Sequence, residues 1–599
     1  SPILVSPHNP TIIYFASQRV WKSTNRGDSW VTISEDLTLN QERFNLPIMD
    51  KTWGWDSPWD VYAMSDYNTI TSLSESPLKK GLIYAGTDDG SISVTDNGGD
   101  TWNKIEVGSL PGVPKNAFVN DIKADLYDEN TVFVVLDDHK NGDFNPYILK
   151  STNRGENWKQ ITNNLPENLI VWRLVQDHIK PGILFIGTEF GIYMSINGGQ
   201  SWSKMTGGVP TISFRDLAIQ KRENDLVGAS FGRSFFVLDD YSPLREIDEN
   251  TFDQEATLFG LRDALLYSPR ASQTFGGKGS MGASYFISPN PPYGAVFTYY
   301  LSKNYTTLKE ARKKEEKKSK KNGEDITFPG WNNLDKELYE ASPVVILTIM
   351  DSLGNSIRKI KAKKGKGFHR ISWDLRYPAF NGIDTDGLGV FDEFSSRGGL
   401  MVIPGRYYAS LSKRIDGINK PISDTVMFNV VSIQDGSIKG SSPEDILAFG
   451  RDVERLKIAN YALNTVVDNT KRKLAAMNKA MGSIGVSNDS IYDGIFALNA
   501  QLDDIQQKLY GSKSKKEVGQ KTDPTFSERI WNAAGGTQNI SYGPTKTQRQ
   551  SLKIATVEFE TIRLEVEEMV NIKIPLLEDR LVEIGAPWIE GQPIPKAND

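Results

Sequence analysis

An eight-residue turn written four times constrains this chain more than any other feature. It reads STNRGDSW at Ser23–Trp30, TDNGGDTW at Thr95–Trp102, STNRGENW at Ser151–Trp158 and SINGGQSW at Ser195–Trp202. A small hydroxyl residue opens each copy, Asn follows two places later, Gly takes the fifth place and Trp closes it. The Asn side chain is suited to bond nearby backbone N–H groups, and Gly reaches a backbone conformation closed to other residues. The Trp must then bury a large ring at the base of the turn. One S/T-x-N-x-G stretch is ordinary turn chemistry; four copies, each preceded by an apolar strand, define a structural repeat.

Aligned on these turns, the first 247 residues read as five repeats. Each has a strand, a short loop and a second strand ending near Gly or Ala, as in TITSLSESPLKKGLIYAGT and VWRLVQDHIKPGILFIGT. A third strand such as Ser91–Val94 or Gly191–Met194 leads into the turn. The fifth copy ends in GRSFFVLDD and has no such turn. Short strands at regular spacing with Gly/Asn/Pro punctuation predict a β-blade array. The first interval between turn tryptophans carries roughly twenty to thirty extra residues. That insertion, about Asp36–Asn68, interleaves Trp53, Trp55, Trp59, Tyr62 and Tyr67 with Asp50, Asp56, Asp60 and Asp66.

At 599 residues the chain is too long for one core and suggests about three to five domains. A net charge of −6 gives no global basic signal for nucleic acid. The absence of cysteine excludes disulfides, thiolate zinc sites and cysteine nucleophiles. No run of about eighteen apolar residues occurs, so no transmembrane helix is expected. The chain opens on Ser1, almost inside a strand at Ile3–Val5, and reads as the C-terminal part of a longer protein, with a mature protein as the alternative.

Past the blades, 248–290 reads as a Gly/Ser-rich connector and 291–435 as a β-rich module. PVVILTIMDSLGNSIRKI gives two strands around a turn, with further strands in GFHRISWDLRYP and IPGRYYASLS. This order, ending in Pro-Gly-x-Tyr, resembles an immunoglobulin-like domain of bacterial secreted proteins. A charge run at 305–326 interrupts it and reads as a solvated helical loop, with a basic arm for an anionic surface as the alternative. The stretch 441–599 predicts an antiparallel three- or four-helix bundle. Ser442-Pro443-Glu444-Asp445 is a helix start, with a hydroxyl cap, proline at the first position and acids in the first turn. Three a/d seams follow, through Phe449, Leu474 and Met477, through Ile491 and Leu509, and through Phe559 and Met569. The second helix is about half as long as the first. The spacing therefore leaves part of the first seam, including Leu474 and Met477, for a short helix near Phe526–Ala534 or for another surface. Pro575 is expected to interrupt the third helix and free Leu576–Ile584 as an arm.

Candidate chemistry is sparse. Of the histidines, His8, His139, His178 and His369, none stands in nucleophile or metal-ligand spacing. No catalytic residue, cofactor or metal site is therefore assigned. Asp88, Asp89, Asp137, Asp138, Glu189 and Asp239 fall at strand ends, where a pair of carboxylates for glycoside hydrolysis would have to converge on one cleft. The insertion is the leading binding site, with Trp53, Trp55, Trp59, Asp60 and Tyr62 as its residues. Flat rings stack on sugars or side chains while carboxylates accept hydrogen bonds from hydroxyls. The alternative is an aromatic plug packed across the blades.

The four turns resemble the Asp-box, or bacterial neuraminidase repeat, of sialidases, tandem-propeller xyloglucanases and sortilin-type receptors. With GRSFFVLDDYSPLREI closing the blades, the chain resembles bacterial sortilin-type Asp-box propeller proteins, often labelled glycosyl hydrolases. The resemblance implies a multidomain, mainly β protein: Asp-box β-propeller blades that are part of a larger propeller, then an immunoglobulin-like β-sandwich and a C-terminal α-helical bundle. It implies a secreted or cell-envelope location in a Gram-negative bacterium and gives no activity, because the box itself performs no chemistry. The sialidase arginine signature Phe-Arg-Ile-Pro is absent; Phe214-Arg215-Asp216 departs from it. The expectation is a non-enzymatic binding or scaffolding protein with protein partners of the envelope and a possible glycan ligand. The alternatives are a polysaccharide-cleaving glycoside hydrolase and a sortilin-like peptide receptor.

Overall fold

The computed structural model describes residues 1–49, 51–59, 67–269, 288–383, 394, 398–433, 438–485, 489–537 and 542–595. The chain forms two compact units, Ser1–Asp248 and Glu249–Asp599.

The first unit is a row of antiparallel meanders. Blade 1 has strands Ile3–Val5, Ile13–Ala16, Val20–Ser23 and Val31–Thr32. Blade 2 has Ile70–Glu75, Ile83–Thr87, Ser91–Thr95 and Asn103–Glu106. Blade 3 has Phe118–Ala124, Val132–Asp138, Asp143–Ser151 and Lys159–Gln160. Blade 4 has Val171–Gln176, Leu184–Thr188, Gly191–Ser195 and Ser203–Lys204. Blade 5 has three strands, Phe214–Gln220, Asp225–Ser230 and Phe235–Leu238.

Alternation along the second strands stacks the blades face to face. In blade 2, Ile83 and Ala85 pack on Tyr14, Ala16 and Val20 of blade 1, whereas Leu82 and Tyr84 pack on Val132, Val134 and Leu136 of blade 3. Blade 3 turns Phe133 and Val135 to Leu184 and Ile186 of blade 4, and blade 4 turns Ile183 and Phe185 to Leu226 of blade 5. Each inner blade is thus apolar on both faces.

The eight-residue turns join third and fourth strands, and their chemistry is the same in all four. The opening hydroxyl accepts from the N–H of the fifth-place Gly at 2.8, 3.0, 2.8 and 2.9 Å. It also donates to the Asn Oδ1, which accepts from the backbone N–H four residues on. The glycines take φ of 101°, 108°, 95° and 89°, in the region where a side chain is strained.

In the second unit, one three-stranded and one six-stranded sheet share an apolar core around Trp373, Phe297, Tyr407 and Phe428. The small sheet is Ala256–Leu258, Ala295–Leu301 and Gly367–Trp373. Two strands, Ala256–Leu258 and Ala264–Leu266, lie within 248–290, which the sequence leaves as a connector. Short apolar strands of this kind carry too little periodicity to stand out. The charge run becomes the helix Leu308–Asn322, whose Arg312 bonds Glu316 and Glu337.

The C-terminal helices share a second core. Ser442 caps Pro443–Met481 through the N–H of Asp445, 3.1 Å away. Tyr510 bonds Asn464 and Lys471 bonds Gln506, so Asp489–Tyr510 runs antiparallel to that long helix. Lys508 bonds Glu565 and Lys573 bonds Gln501, which sets Lys546–Glu568 and its continuation antiparallel to the second helix. The expected free seam is corrected by this arrangement. Leu474 and Met477 are fully buried in the shared core, and Phe526–Gly535 covers the other end of the long helix, placing Ala533 and Ala534 on Phe449 and Val453. Pro575 frees no arm either. A π turn at Met569–Lys573 absorbs the missing N–H, and Ile574–Glu583 continues with Leu577 and Leu581 buried. Among the described residues no helix is long and apolar enough to cross a membrane.

Candidate functional site

At the blade ends opposite the eight-residue turns, the turn between second and third strands lies beside the start of the first strand. The contact repeats: Asp88 N–H donates to Thr69 O, Glu189 N–H to Ile170 O and Phe231 N–H to Ser213 O, at 3.0, 2.9 and 2.8 Å. Stacking then brings these ends of adjacent blades together.

Between blades 2 and 3 they enclose a cavity of about 30 Å³, lined by Leu46, Pro47, Tyr67, Asp88, Asn116, Phe118, Asp137, Asp138, Lys140 and Asn141. It has room for roughly one or two water molecules. Asp88 accepts from Thr69 N–H at 2.7 Å. Asp89 lies behind it, fully buried, with one oxygen held by Thr87 Oγ1 at 2.5 Å and the other by Leu39 N–H at 2.6 Å. Burial pushes the Asp89 carboxyl up, against the pull of those hydrogen bonds. Burial also pushes the Tyr67 hydroxyl well up, reinforced by the charges of Asp89, Asp88 and Asp138, so Tyr67 remains a donor.

Asp137 is the penultimate residue of the second strand of blade 3 and is 1% exposed. Its Oδ1 accepts from the His139 N–H at 3.2 Å and contacts His139 Nδ1. Among the described residues its Oδ2 has no hydrogen-bond partner, nor has the buried Oδ1 of Asn141, whose Nδ2 donates to Asp138 Oδ1 at 2.6 Å. The His139 ring stands edge-on to Trp172, centroids 5.6 Å apart. Trp172 Nε1 donates to Glu189 Oε2 at 3.0 Å, and the Arg215 guanidinium lies 3.6 Å over its ring and 5.4 Å over Phe231. An acidic pocket is therefore continuous with an aromatic shelf that runs over blades 4 and 5.

Of the carboxylates singled out in the sequence, Asp88, Asp137 and Asp138 converge on this pocket, and Glu189 lies on the shelf. Asp239 belongs to blade 5 and is not among the pocket residues. The insertion is described only in part. Trp53 is half-buried, its Nε1 donating to Ile48 O at 3.2 Å with Lys51 over its ring, while Trp55 and Trp59 are 81% and 86% exposed. Asp60 and Tyr62 lie outside the described residues. What the insertion brings to the pocket is Leu46, Pro47 and Tyr67. Among its exposed rings Phe44 stands edge-on to Trp55 at 5.6 Å, with Arg43 over the Phe44 ring. Sequence reasoning missed Tyr67 and Asn141 as site residues; the one signal for Asn141 was its place two residues after the turn histidine in DDHKNG. His8 and His369 bond carbonyl oxygens of Ser76 and Gly365, and His178 lies beside Tyr241. Among the described residues no group of three His, Asp or Glu side chains could hold a metal ion.

Fold and site define the class: a protein of stacked, propeller-type β-blades with an acid-lined pocket at the ends of two adjacent blades. No protein-family profile matches the chain, and no curated protein does. Among solved structures it is similar to YCF48 bound to D1 peptide, at 18% identity and a TM-score of 0.23, over 29% of this chain and 51% of that one. It is also similar to a GH74 xyloglucanase from Xanthomonas campestris, at 10% identity and TM-score 0.29, over 71% of this chain and 53% of that one. The extracellular domain of BT4673 from B. thetaiotaomicron matches at 13% identity and TM-score 0.26, over 39% of this chain and 26% of that one. The chain spans less than two thirds of each of these three.

Proposed function

We propose that this chain is a non-enzymatic binding and scaffolding protein of a bacterial cell envelope, of the sortilin-type Asp-box class that its turns resemble, and that the pocket-and-shelf end of its blades engages a protein ligand. One observation carries the reading. Asp88, Asp137 and Asp138 line a cavity of only about 30 Å³, whereas glycoside hydrolysis needs two carboxylates flanking a cleft that admits a sugar ring and, on the inverting route, a water. The shelf of Trp172, Arg215 and Phe231 adds aromatic and guanidinium groups of the kind that anchor protein interfaces. Leu474 and Met477 are used up in the bundle's own core, so the binding role falls to the blades and not to the helical seam.

The test uses the full chain with a photo-crosslinking residue at Phe231 or, as a control on the opposite blade end, at Ser201. Irradiation in a native envelope preparation is expected to join one discrete protein from position 231 and not from 201, with no reducing ends released from soluble polysaccharides. Polysaccharide cleavage that disappears in Asp137→Asn would establish the hydrolase in its place.

A further inference from the structure

We propose that the pocket between blades 2 and 3 receives a single primary ammonium group, the side-chain terminus of a lysine presented by a protein partner. This rests on reading the blade end as a protein-binding face, and goes beyond it by naming the group bound.

The argument is one of unmet acceptors. Asp137 Oδ2 and Asn141 Oδ1 are both buried, both on the wall of the same cavity, and both without a donor. The donors on that wall, on Tyr67, Asn116 and Lys140, reach neither oxygen. Lys140 directs its ammonium over the Phe118 ring, 5.4 Å from the centroid, and forms none of the ion pairs found among the described residues. A buried oxygen left unpaired is costly, the more so beside the carboxylates Asp88 and Asp138. Two buried acceptors on this wall thus await a donor.

Size and shape narrow the occupant. About 30 Å³ accepts an ammonium head and excludes a sugar ring. A guanidinium is a planar fork too broad for the space, whereas an ammonium is a compact charge with three donors and no acceptor, which suits a wall of oxygens. A divalent cation is disfavoured because no three acidic or histidine side chains among the described residues are set at ligand spacing. Leu46, Pro47 and Phe118 supply apolar wall for the methylene stem that a lysine brings and a free metal ion does not.

Fluorescent octalysine, its fully Nε-acetylated form and octaarginine, titrated into the full chain at physiological salt and followed by anisotropy, test this. Octalysine is expected to bind more tightly than octaarginine, and acetylation to abolish binding. Asp137→Asn is expected to weaken octalysine by about tenfold while leaving octaarginine unchanged, and Lys140→Met, which removes a competing charge from the rim, to tighten it. Melting curves establish that each variant is folded; should Asp137→Asn unfold, Asn141→Leu removes the second acceptor and takes its place. Equal binding of octalysine to wild type and to a folded pocket variant, or equal response of octaarginine, overturns the proposal and leaves the cavity as a seat for ordered water. If that happens while position 231 still crosslinks one protein, the ammonium assignment fails and the binding face stands.

Discussion

The four turn tryptophans occupy one sequence position but two structural roles. Trp102 and Trp202 donate Nε1–H to a carbonyl of the preceding blade, Ile33 O at 2.8 Å and Ile161 O at 2.7 Å. Trp30 and Trp158 donate to Gly27 O and Gly155 O within their own turns. The fifth-place glycines press on the same preceding blade: a Cβ at Gly99 would sit 2.5 Å from Ile33 O, and one at Gly199 2.7 Å from the Ile161 side chain. Each such turn therefore latches its blade to the isoleucine three residues beyond the previous turn's Trp. Trp202 is 4% exposed and Trp30, with no latched partner, is 40% exposed. Trp202→Ala is expected to cost about 3–5 kcal/mol, as for a large buried aromatic. Trp30→Ala is expected to cost about 1 kcal/mol. Urea unfolding of the two variants measures this, and equal losses would contradict the latch.

At the level of elements, a single carboxylate ties the two sheets of the second unit. Glu255, just before Ala256–Leu258, accepts from Lys303 and Tyr305 beyond the small sheet's Ala295–Leu301, each at 2.8 Å, and from Lys413 in the large sheet's Gly405–Ile415 at 2.6 Å. Burial would raise this carboxyl, but the hydrogen bonds from Lys303, Lys413 and Tyr305 prevail and hold it at about 2, below its ordinary 4.5. A folded-state value below the unfolded one means that the unfolded chain binds the proton first. The stabilisation is therefore complete above about 4.5 and is lost as pH falls from there toward about 2. Glu255→Gln is expected to melt below wild type at pH 7, with the difference closing as pH falls through that window. A difference in melting temperature that stays constant with pH would show the tie to be packing and not charge.

At the largest scale, the inner blades of the first unit are apolar on both faces and its two end blades expose apolar side chains. The outer face of blade 1 exposes Ile3 and Val5, at 71% and 52%, on the side where blades 2 to 5 each meet a neighbour. Blade 5 lacks a fourth strand and exposes Phe235 and Val237 at 70% and 54%. Apolar sheet faces and unpaired edges of this kind promote association. Sedimentation velocity is expected to show the chain associating with rising concentration, and Phe235→Lys with Val237→Lys to suppress it. A monomer unchanged by concentration in both proteins would show the end faces to be inert.

What Ser23, Asn25 and Gly27 do could be read directly from the sequence, because all their partners lie within the same eight residues. The same holds for the Ser442 cap and for the a/d seams, whose period is a property of one helix. The blade strands were legible for the same reason, as short apolar runs with turn residues between them. The pocket was legible only in part: the sequence marked Asp88, Asp137 and Asp138 as strand-end acids, but their convergence depends on how blade 3 stacks on blade 2. Tyr67 and Asn141 join them from a loop and a turn whose residue types are common everywhere. For the insertion, clustered Trp and Asp indicate what a segment can bind and not where its rings point. The covering of Leu474 and Met477 was decided by tertiary structure too, since a seam's partner lies on other helices and a π turn let the last of them run on past Pro575. Local hydrogen bonding and periodicity are written in consecutive residues; which surfaces meet is settled only when the packed elements exclude water from between them.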